Sequence, residues 1–454
     1  METEKQDTKE LTLRENFKIL LQATKSFWLI NVINFGDGIA YFGVLILLTR
    51  FLGTRVGLSD QVTGFSVSLF TGLVTLFMLI GGYISDKIGV RRALTLSLAL
   101  IGLGRVILVM SPSMGMSPAT IAWIGIIIYA MGEGVIQPAL YAGIKEYTDP
   151  RTATIGYSLL YSIMNLGSLV EHFLSPYVRT DGVFLDLKFT KIVGLGWGID
   201  GVYWVCIAIT GAMLLIHISF FTKKVELKER IIVEDKKEKK EEVPFWVKVK
   251  QFPLLDLRFV FFIFILLPVR TLFAHQWLTL PDYVFRCFPE SIHDKYEWIS
   301  GLNPFIIILF VPLFAALTRK TKVIDMMIIG TIVTAVTSFL LVNEPNVTFL
   351  ITYVILFSLG EALWSSRFLE YIAHVAPAGK VGLYMGFAGM PWFLAKTTTG
   401  LYSGILINKF IPAEGAQDPS TLWLFYGCIA VISPIGLILG RKFVLSQDKI
   451  KEEA

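Results

Sequence analysis

Residues 347–372 read VTFLITYVILFSLGEALWSSRFLEYI, an apolar run of membrane-spanning length that carries Glu361, Arg367 and Glu370 in its second half. A charged side chain at the centre of such a helix costs about 2.5–3.5 kcal/mol on insertion scales. Three in one run imply work on something polar inside the membrane, either gripping an ionic solute or exchanging a proton. Similar groups recur in other apolar runs. Asp37 and Tyr41 stand four apart, as do Glu133 and Gln137, so each pair shares a helical face. Arg270, His275, Gln276 and Asp282 fall within 257–284, and Lys396 falls within 381–408. Arginine grips a carboxylate or phosphate through two parallel hydrogen bonds. Carboxyls shielded from water, and histidine, are the groups whose charge can change near neutrality. The candidates for solute contact are therefore Tyr41, Gln137, Asn165, Arg270, Gln276, Glu361, Arg367 and Lys396. Those for proton exchange are Asp37, Glu133, Glu361 and His275.

Packing readings stand beside these. Arg367 and Glu370 are three apart and neutralise each other on that reading, because buried charges usually pair. Arg270 pairs with Glu361 as a gate, and Arg105 with Glu133 or Asp37 as a packing device. Glu171, His172 and Asp282 lie nearer run ends and read as interfacial, and Lys396 snorkels, although Thr397, Thr398 and Thr399 place it mid-run.

Positioning such groups requires many spanning helices. The chain has 454 residues, 54% hydrophobic and 17% charged, with a mean hydropathy of +0.63. Soluble chains carry about 25% charged residues, and a helix crosses hydrocarbon in about 20 apolar residues. Long runs rather than short alternating strands argue against an outer-membrane barrel. Twelve spans can be drawn, at 27–52, 61–84, 93–112, 117–144, 152–173, 199–221, 257–284, 302–318, 324–342, 348–373, 381–408 and 421–440. The expectation is an all-α membrane protein of two six-helix bundles, at 27–221 and 257–440. A charged linker at 222–256 joins them, and tails at 1–26 and 441–454 flank them.

Lysine and arginine crowd the tails, the linker and the even-to-odd loops, and ten lie within 222–250 alone. The positive-inside rule places both termini and the linker in the cytoplasm, in a plasma or inner membrane. The N-terminal stretch is polar and lacks a small-residue cleavage site, so no signal peptide is read there. The net charge of +5 is scattered and implies no nucleic acid. The three cysteines form no disulfide framework or metal spacing. No phosphate loop, zinc spacing or nucleophile–base motif appears. The expectation is no enzyme, no cofactor and no metal. The expected partners are the lipid bilayer, a small polar solute and, where coupling exists, protons, with the chain a monomer.

Residues 81–92, GGYISDKIGVRR, lie between the second and third spans. Gly82, Asp86, Gly89, Arg91 and Arg92 match the G-x-x-x-D-[RK]-x-G-x-[RK]-[RK] loop of the major facilitator superfamily, with a degraded copy, LTRKTK, at 317–322. These residues read as a conformational gate. Four further segments resemble the proton-dependent oligopeptide transporters. DGIAYFGVLILLTRFL (37–52) is similar to that family's E-R-F-x-Y-Y-G, and GEGVIQPAL (132–140) to its G-x-G-x-x-K-P. YSLLYSIMNLGSLV (157–170) resembles F-Y-x-x-I-N-x-G-S-L, and GEALWSSRFLEYIAHVAP (360–377) resembles the G-E-x-x-x-S-P helix. The resemblance implies the two-bundle fold, alternating access with the solute near the midplane, and transport of short peptides or amino-acid-like zwitterions.

Departures accompany it. The family's E-x-x-E-R triad falls on Asn34, Asp37 and Gly38, its fourth-helix lysine on Gln137, and its seventh-helix acid-Gln pair on His275-Gln276. In the tenth helix the acid is Glu361, while the proline is Ser366, followed by Arg367. The triad and the lysine are linked in the family to proton coupling and to the peptide carboxylate. Alternatives of an organic-anion or nucleoside-type carrier, or a uniporter, therefore stay open. From another class, a non-transporting sensor or a lipid flippase on the same fold stays open too.

Overall fold

In hydrocarbon each backbone N–H and C=O must be satisfied within the protein, so apolar runs of this length fold as helices. The computed structural model describes residues 23–445 apart from 116, 149–152, 188–189, 231–251, 319–320, 376–383 and 385–386. The first half contains α1 (Lys25–Thr54), α2 (Asp60–Ile88), α3 (Val90–Met110), α4 (Pro118–Tyr147), α5 (Ala153–Arg179) and α6 (Gly198–Phe220). A hairpin of β1 (Val183–Leu187) and β2 (Thr190–Val193) lies between α5 and α6, and a short α7 (Lys223–Glu229) follows. The second half contains α8 (Leu257–Ile265), α9 (Leu267–Leu278), α10 (Leu280–Cys287), α11 (Glu290–His293), α12 (Tyr296–Leu317), α13 (Val323–Thr337), α14 (Val347–Val375), α15 (Met390–Phe410) and α16 (Pro419–Leu445).

The expected all-α, two-bundle architecture is present. Among the described residues, nine helical stretches are long and apolar enough on their own to cross a membrane. Helices α5, α12 and α15, of 27, 22 and 21 residues, complete the bundles despite their polar groups. Within the first bundle α4 packs on α3 and α2, and α1 on α5 and α6; within the second, α14 packs on α13 and α12, and α9 on α15 and α16. Two seams join the bundles, α2 against α15 and α5 against α12.

Three local outcomes differ from the expected spans. The seventh span is broken into α8, α9 and α10, because Pro268 and Pro281 lack an N–H and begin new helices at their second positions. The eighth begins at Tyr296, ahead of 302, because Glu297 is buried against Arg179 and no longer acts as a water-facing end. The hairpin falls in what reads as a plain loop, where VFLDL pairs with TKIV. The charged linker contains α7, capped by the Thr222 hydroxyl accepting from the Val225 amide at 3.4 Å; residues 231–251 lie outside the described part.

Candidate functional site

A cavity runs between the bundles in two connected chambers that share Tyr161, Phe273, Glu361 and Trp392. The upper chamber, about 190 Å³, lies toward the face bearing the α1–α2 turn and is bordered by Asn165, His172, Gln276 and Asn303. The lower one, about 510 Å³, lies toward the face bearing the chain ends and is bordered by Arg270, Trp364 and Phe368. Glu361 accepts from Asn303 Nδ2 at 2.8 Å, and the same amide reaches Ser358 Oγ at 3.0 Å. Gln276 Nε2 donates to the Tyr353 hydroxyl at 2.8 Å. The carboxylate and its amide neighbour are thus fixed on α14 and α12 and face space that both bundles enclose.

Arg270 is 0% exposed, and its Nε, Nη1 and Nη2 make no hydrogen bond among the described residues. Instead the guanidinium sits 4.3 Å from the Phe368 ring centre, 4.9 Å from Trp392 and 5.7 Å from Trp364. The pair with Glu361 that charge complementarity suggested is not formed; Asn303 occupies the carboxylate and rings occupy the cation. Lys396 places its ammonium 5.9 Å from Trp277 and 5.8 Å from Trp392. Arg367 donates to Thr318 Oγ1 at 2.7 Å and borders neither chamber. The side chain of Glu370 lies outside the described residues, as does that of Ser366.

The acids of the first bundle gather elsewhere. Arg105 reaches Glu133 at 3.1 Å, Asp37 at 3.9 Å and the Tyr129 hydroxyl at 2.9 Å, with the Thr210 hydroxyl on its other terminal nitrogen. Exposures of 2%, 2% and 6% for Arg105, Glu133 and Asp37 seal this cluster inside the bundle. The packing reading of Arg105 therefore holds for both acids at once. Gly38, where the family's arginine falls, has no room for any side chain. A Cβ there would lie 2.7 Å from the Met164 carbonyl, because α1 and α5 meet at Gly38 and Gly167. Asn34 donates to Leu160 O at 2.6 Å and ties the same two helices. Tyr41 packs on Phe42 and Phe70, and neither it nor Gln137 borders the chambers. His275 is buried, with Thr279 Oγ at 2.8 Å, the Tyr402 hydroxyl at 3.2 Å and the Tyr426 ring stacked at 3.6 Å.

Ion pairs close the α1–α2 face. Arg286 holds Asp60 in a two-pronged grip, at 2.6 and 2.8 Å, and reaches Asp282 at 3.3 Å. Arg50 stands 3.5 Å from the same Asp282, and Arg179 grips Glu297 at 2.7 and 2.8 Å. Each joins the first bundle to the second except the Arg286–Asp282 contact within α10. Asp282, expected at the interface with the headgroups, is buried between the bundles instead. The signal was present as arginines and acids on opposite halves at equal depth. Glu171 and His172 are buried too, 3.4 Å apart, with His172 Nδ1 donating to Ser168 O at 2.6 Å. Among the described residues no ion pair joins the bundles on the other face. There the 81–92 loop turns at Gly89, whose φ is 82°, and Arg91 binds Glu226 of α7 at 2.8 Å. Glu229 of α7 accepts from the Ser26 amide and hydroxyl at 2.8 and 2.7 Å. Asp86 and Arg92 are exposed, and Gly82 has open space around it.

The fold resembles several solved transporters. A crystal structure of a peptide transporter of the POT family in complex with sulfate aligns with a TM-score of 0.72 at 14% identity, covering 94% of this chain and 98% of that one. A nucleoside transporter, NupG, aligns with a TM-score of 0.69 at 12% identity, covering 91% and 99%. In sequence, dipeptide and tripeptide permease A of Pectobacterium carotovorum subsp. carotovorum (strain PC1) is 24% identical, over 93% of this chain and 90% of its own. Dipeptide and tripeptide permease B of Salmonella typhimurium (strain LT2) is also 24% identical, over 92% and 93%. The family described as Major Facilitator Superfamily matches residues 28–286 and 288–453. Both bundles, the cavity between them and the loop at 81–92 agree with that match: the chain belongs to the Major Facilitator Superfamily and is an integral, multi-pass membrane transporter, not an enzyme.

Proposed function

We propose that the chain is a secondary active carrier of short peptides, working by alternating access. The observation that carries this reading is the Glu361–Asn303 pair, held at 2.8 Å on the wall of a cavity that both bundles enclose. A carboxylate fixed by an amide offers its remaining lone pairs to a protonated amine, the group a peptide's free N-terminus presents. Asn165 and Gln276 border the same chamber and supply donors and acceptors for a peptide backbone. Peptide permeases among the relatives support the substrate class. Positive charge on the tails and linker supports cytoplasmic termini in a plasma or inner membrane. On that orientation the α1–α2 face is external and closed, and the cavity opens inward. The chain acts as a monomer on this reading.

Proton coupling, in the same reading, rests on Arg105. Two carboxylates against one guanidinium leave a surplus negative charge in a sealed site, and a proton shared by Asp37 and Glu133 removes it. Releasing that proton requires the cluster to open, which links it to helix movement. Glu361 is the second candidate, while His275 is enclosed by Thr279, Tyr402 and Tyr426. The organic-anion reading draws on Arg270 and Lys396, which make no ion pair among the described residues.

Reconstituted protein should take up di- and tripeptides, faster with an inward pH gradient. No peptide uptake in either condition rejects the substrate class. Uptake that ignores the gradient rejects proton coupling and leaves a uniporter; a Glu133→Gln variant that retains gradient dependence rejects the Arg105 cluster as the coupling site and leaves Glu361.

A further inference from the structure

The cavity wall is not electrically balanced. Arg270 borders the lower chamber, buried and with no acceptor for any of its nitrogens. Lys396 stands behind Trp277 and Trp392, two rings of the upper chamber. Among the described residues neither cation has a carboxylate within ion-pair distance. Among the described residues that border the chambers, Glu361 is the one acid, set against Arg270 on the wall and Lys396 behind it. His172 also borders the upper chamber, but it is turned to Ser168 O and to Glu171. Ring faces offset only part of what a guanidinium loses when it is taken from water without acceptors. A ligand that brings carboxylates therefore completes the site, and a cation entering it meets an unscreened positive potential in a low-dielectric pocket.

We infer that the cavity selects a solute carrying one more negative than positive charge. On the peptide reading above, on which this rests for its substrate class, that solute is an acidic dipeptide. Its amine faces Glu361 and Asn303, and its two carboxylates answer Arg270 and Lys396. Trp392 borders both chambers and lies 4.9 Å from Arg270 and 5.8 Å from Lys396, so it is the ring such a ligand must turn aside.

Calorimetric binding to the purified full-length protein tests this with Ala-Glu, its neutral isostere Ala-Gln, and Ala-Lys. Glutarate and its monoamide serve as non-peptide probes. The expected order is Ala-Glu, Ala-Gln, Ala-Lys, with at least tenfold between the first two. Arg270→Gln and Lys396→Gln should each shrink that ratio, and Arg270→Lys should restore part of it; thermal unfolding checks that each variant is folded. Equal affinity for Ala-Glu and Ala-Gln overturns the charge inference and leaves the peptide reading standing. Glutarate bound over its monoamide while no dipeptide binds does the reverse. Binding of none of the probes overturns both.

Discussion

Arg105 holds Glu133 at 3.1 Å and Asp37 at 3.9 Å with almost no access to water. Removing one partner of a buried ion pair typically costs 3–5 kcal/mol, since the other charge is left uncompensated. Arg105→Met should therefore lower stability by about 3–5 kcal/mol, read as a large fall in melting temperature in detergent. Glu133→Gln should leave the fold intact, since Asp37 alone then balances the guanidinium. A hydrogen bond to a charged group is worth about 1.5–3 kcal/mol. Glu361→Gln should accordingly cut uptake of a free-amine dipeptide about tenfold or more while leaving an N-acetylated one nearly unchanged, measured by competition in proteoliposomes. Glu361 was a candidate from sequence, since an acid within an apolar run has few reasons to be there. The Arg105 cluster was legible as a choice between two acids; that both are engaged depends on how α1, α3 and α4 pack. The ring cage of Arg270 was not legible, because periodicity gives a residue's face but not which aromatic from α14 or α15 meets it. Charge complementarity pointed to Glu361 instead, and Asn303 on a different helix had already engaged that carboxylate.

The α2–α15 seam depends on two glycines. A Cβ on Gly404 would lie 2.2 Å from the Asp60 carbonyl, and one on Gly400 would lie 2.1 Å from Ser68 Cβ. Ser68 Oγ donates to the Thr397 carbonyl at 2.6 Å, binding the same seam. Gly404→Val must push α15 from α2 where Asp60 meets Arg286, so the closed α1–α2 face should part. The expected outcome is a shift toward the conformer open on that face, measured as a longer spin-label distance between α2 and α15. Unchanged distances would show that α15 yields without opening. Spanning helices were legible wherever about 20 apolar residues ran together, and polar α5 and α12 were drawn as well because their charges were few. The triple break of α8, α9 and α10 was missed because residues 257–284 were read as one span and Pro268 and Pro281 were not taken as helix starts. The hairpin was missed because nine residues give too short a pattern to outweigh a loop.

Across the whole molecule, the closed face is held by Arg286–Asp60, Arg50–Asp282 and Arg179–Glu297, while α7 ties Arg91 and Ser26 together on the other. Arg179→Gln leaves Glu297 buried without its cation only while that face stays shut, so the penalty falls on one conformer. The population should move toward the opposite one. A Ser300→Cys probe on the upper-chamber wall should then react faster with an impermeant maleimide added on the α1–α2 side, in a background where Cys287 and Cys428 are replaced. The two-bundle plan was legible from hydropathy, loop charge and the 81–92 loop. The direction in which the cavity is open was not, because it depends on pairs between residues more than a hundred positions apart. Two of those outer pairs, Arg286–Asp60 and Arg50–Asp282, also differ from the Arg105 cluster in how they meet the surroundings. Asp60 and Arg50 have side chains 20% and 21% exposed, whereas those of Arg105, Glu133 and Asp37 are 1–5% exposed. Dissolved ions screen exposed charges over about 8 Å at physiological ionic strength and hardly reach sealed ones. The medium bathing the α1–α2 face thus acts as a control on the resting state. Raising salt on that side alone should loosen its closure and leave the Arg105 cluster untouched, so that, on the proposed orientation, the carrier would respond to ionic strength on its outer side and not to the same change on its inner side.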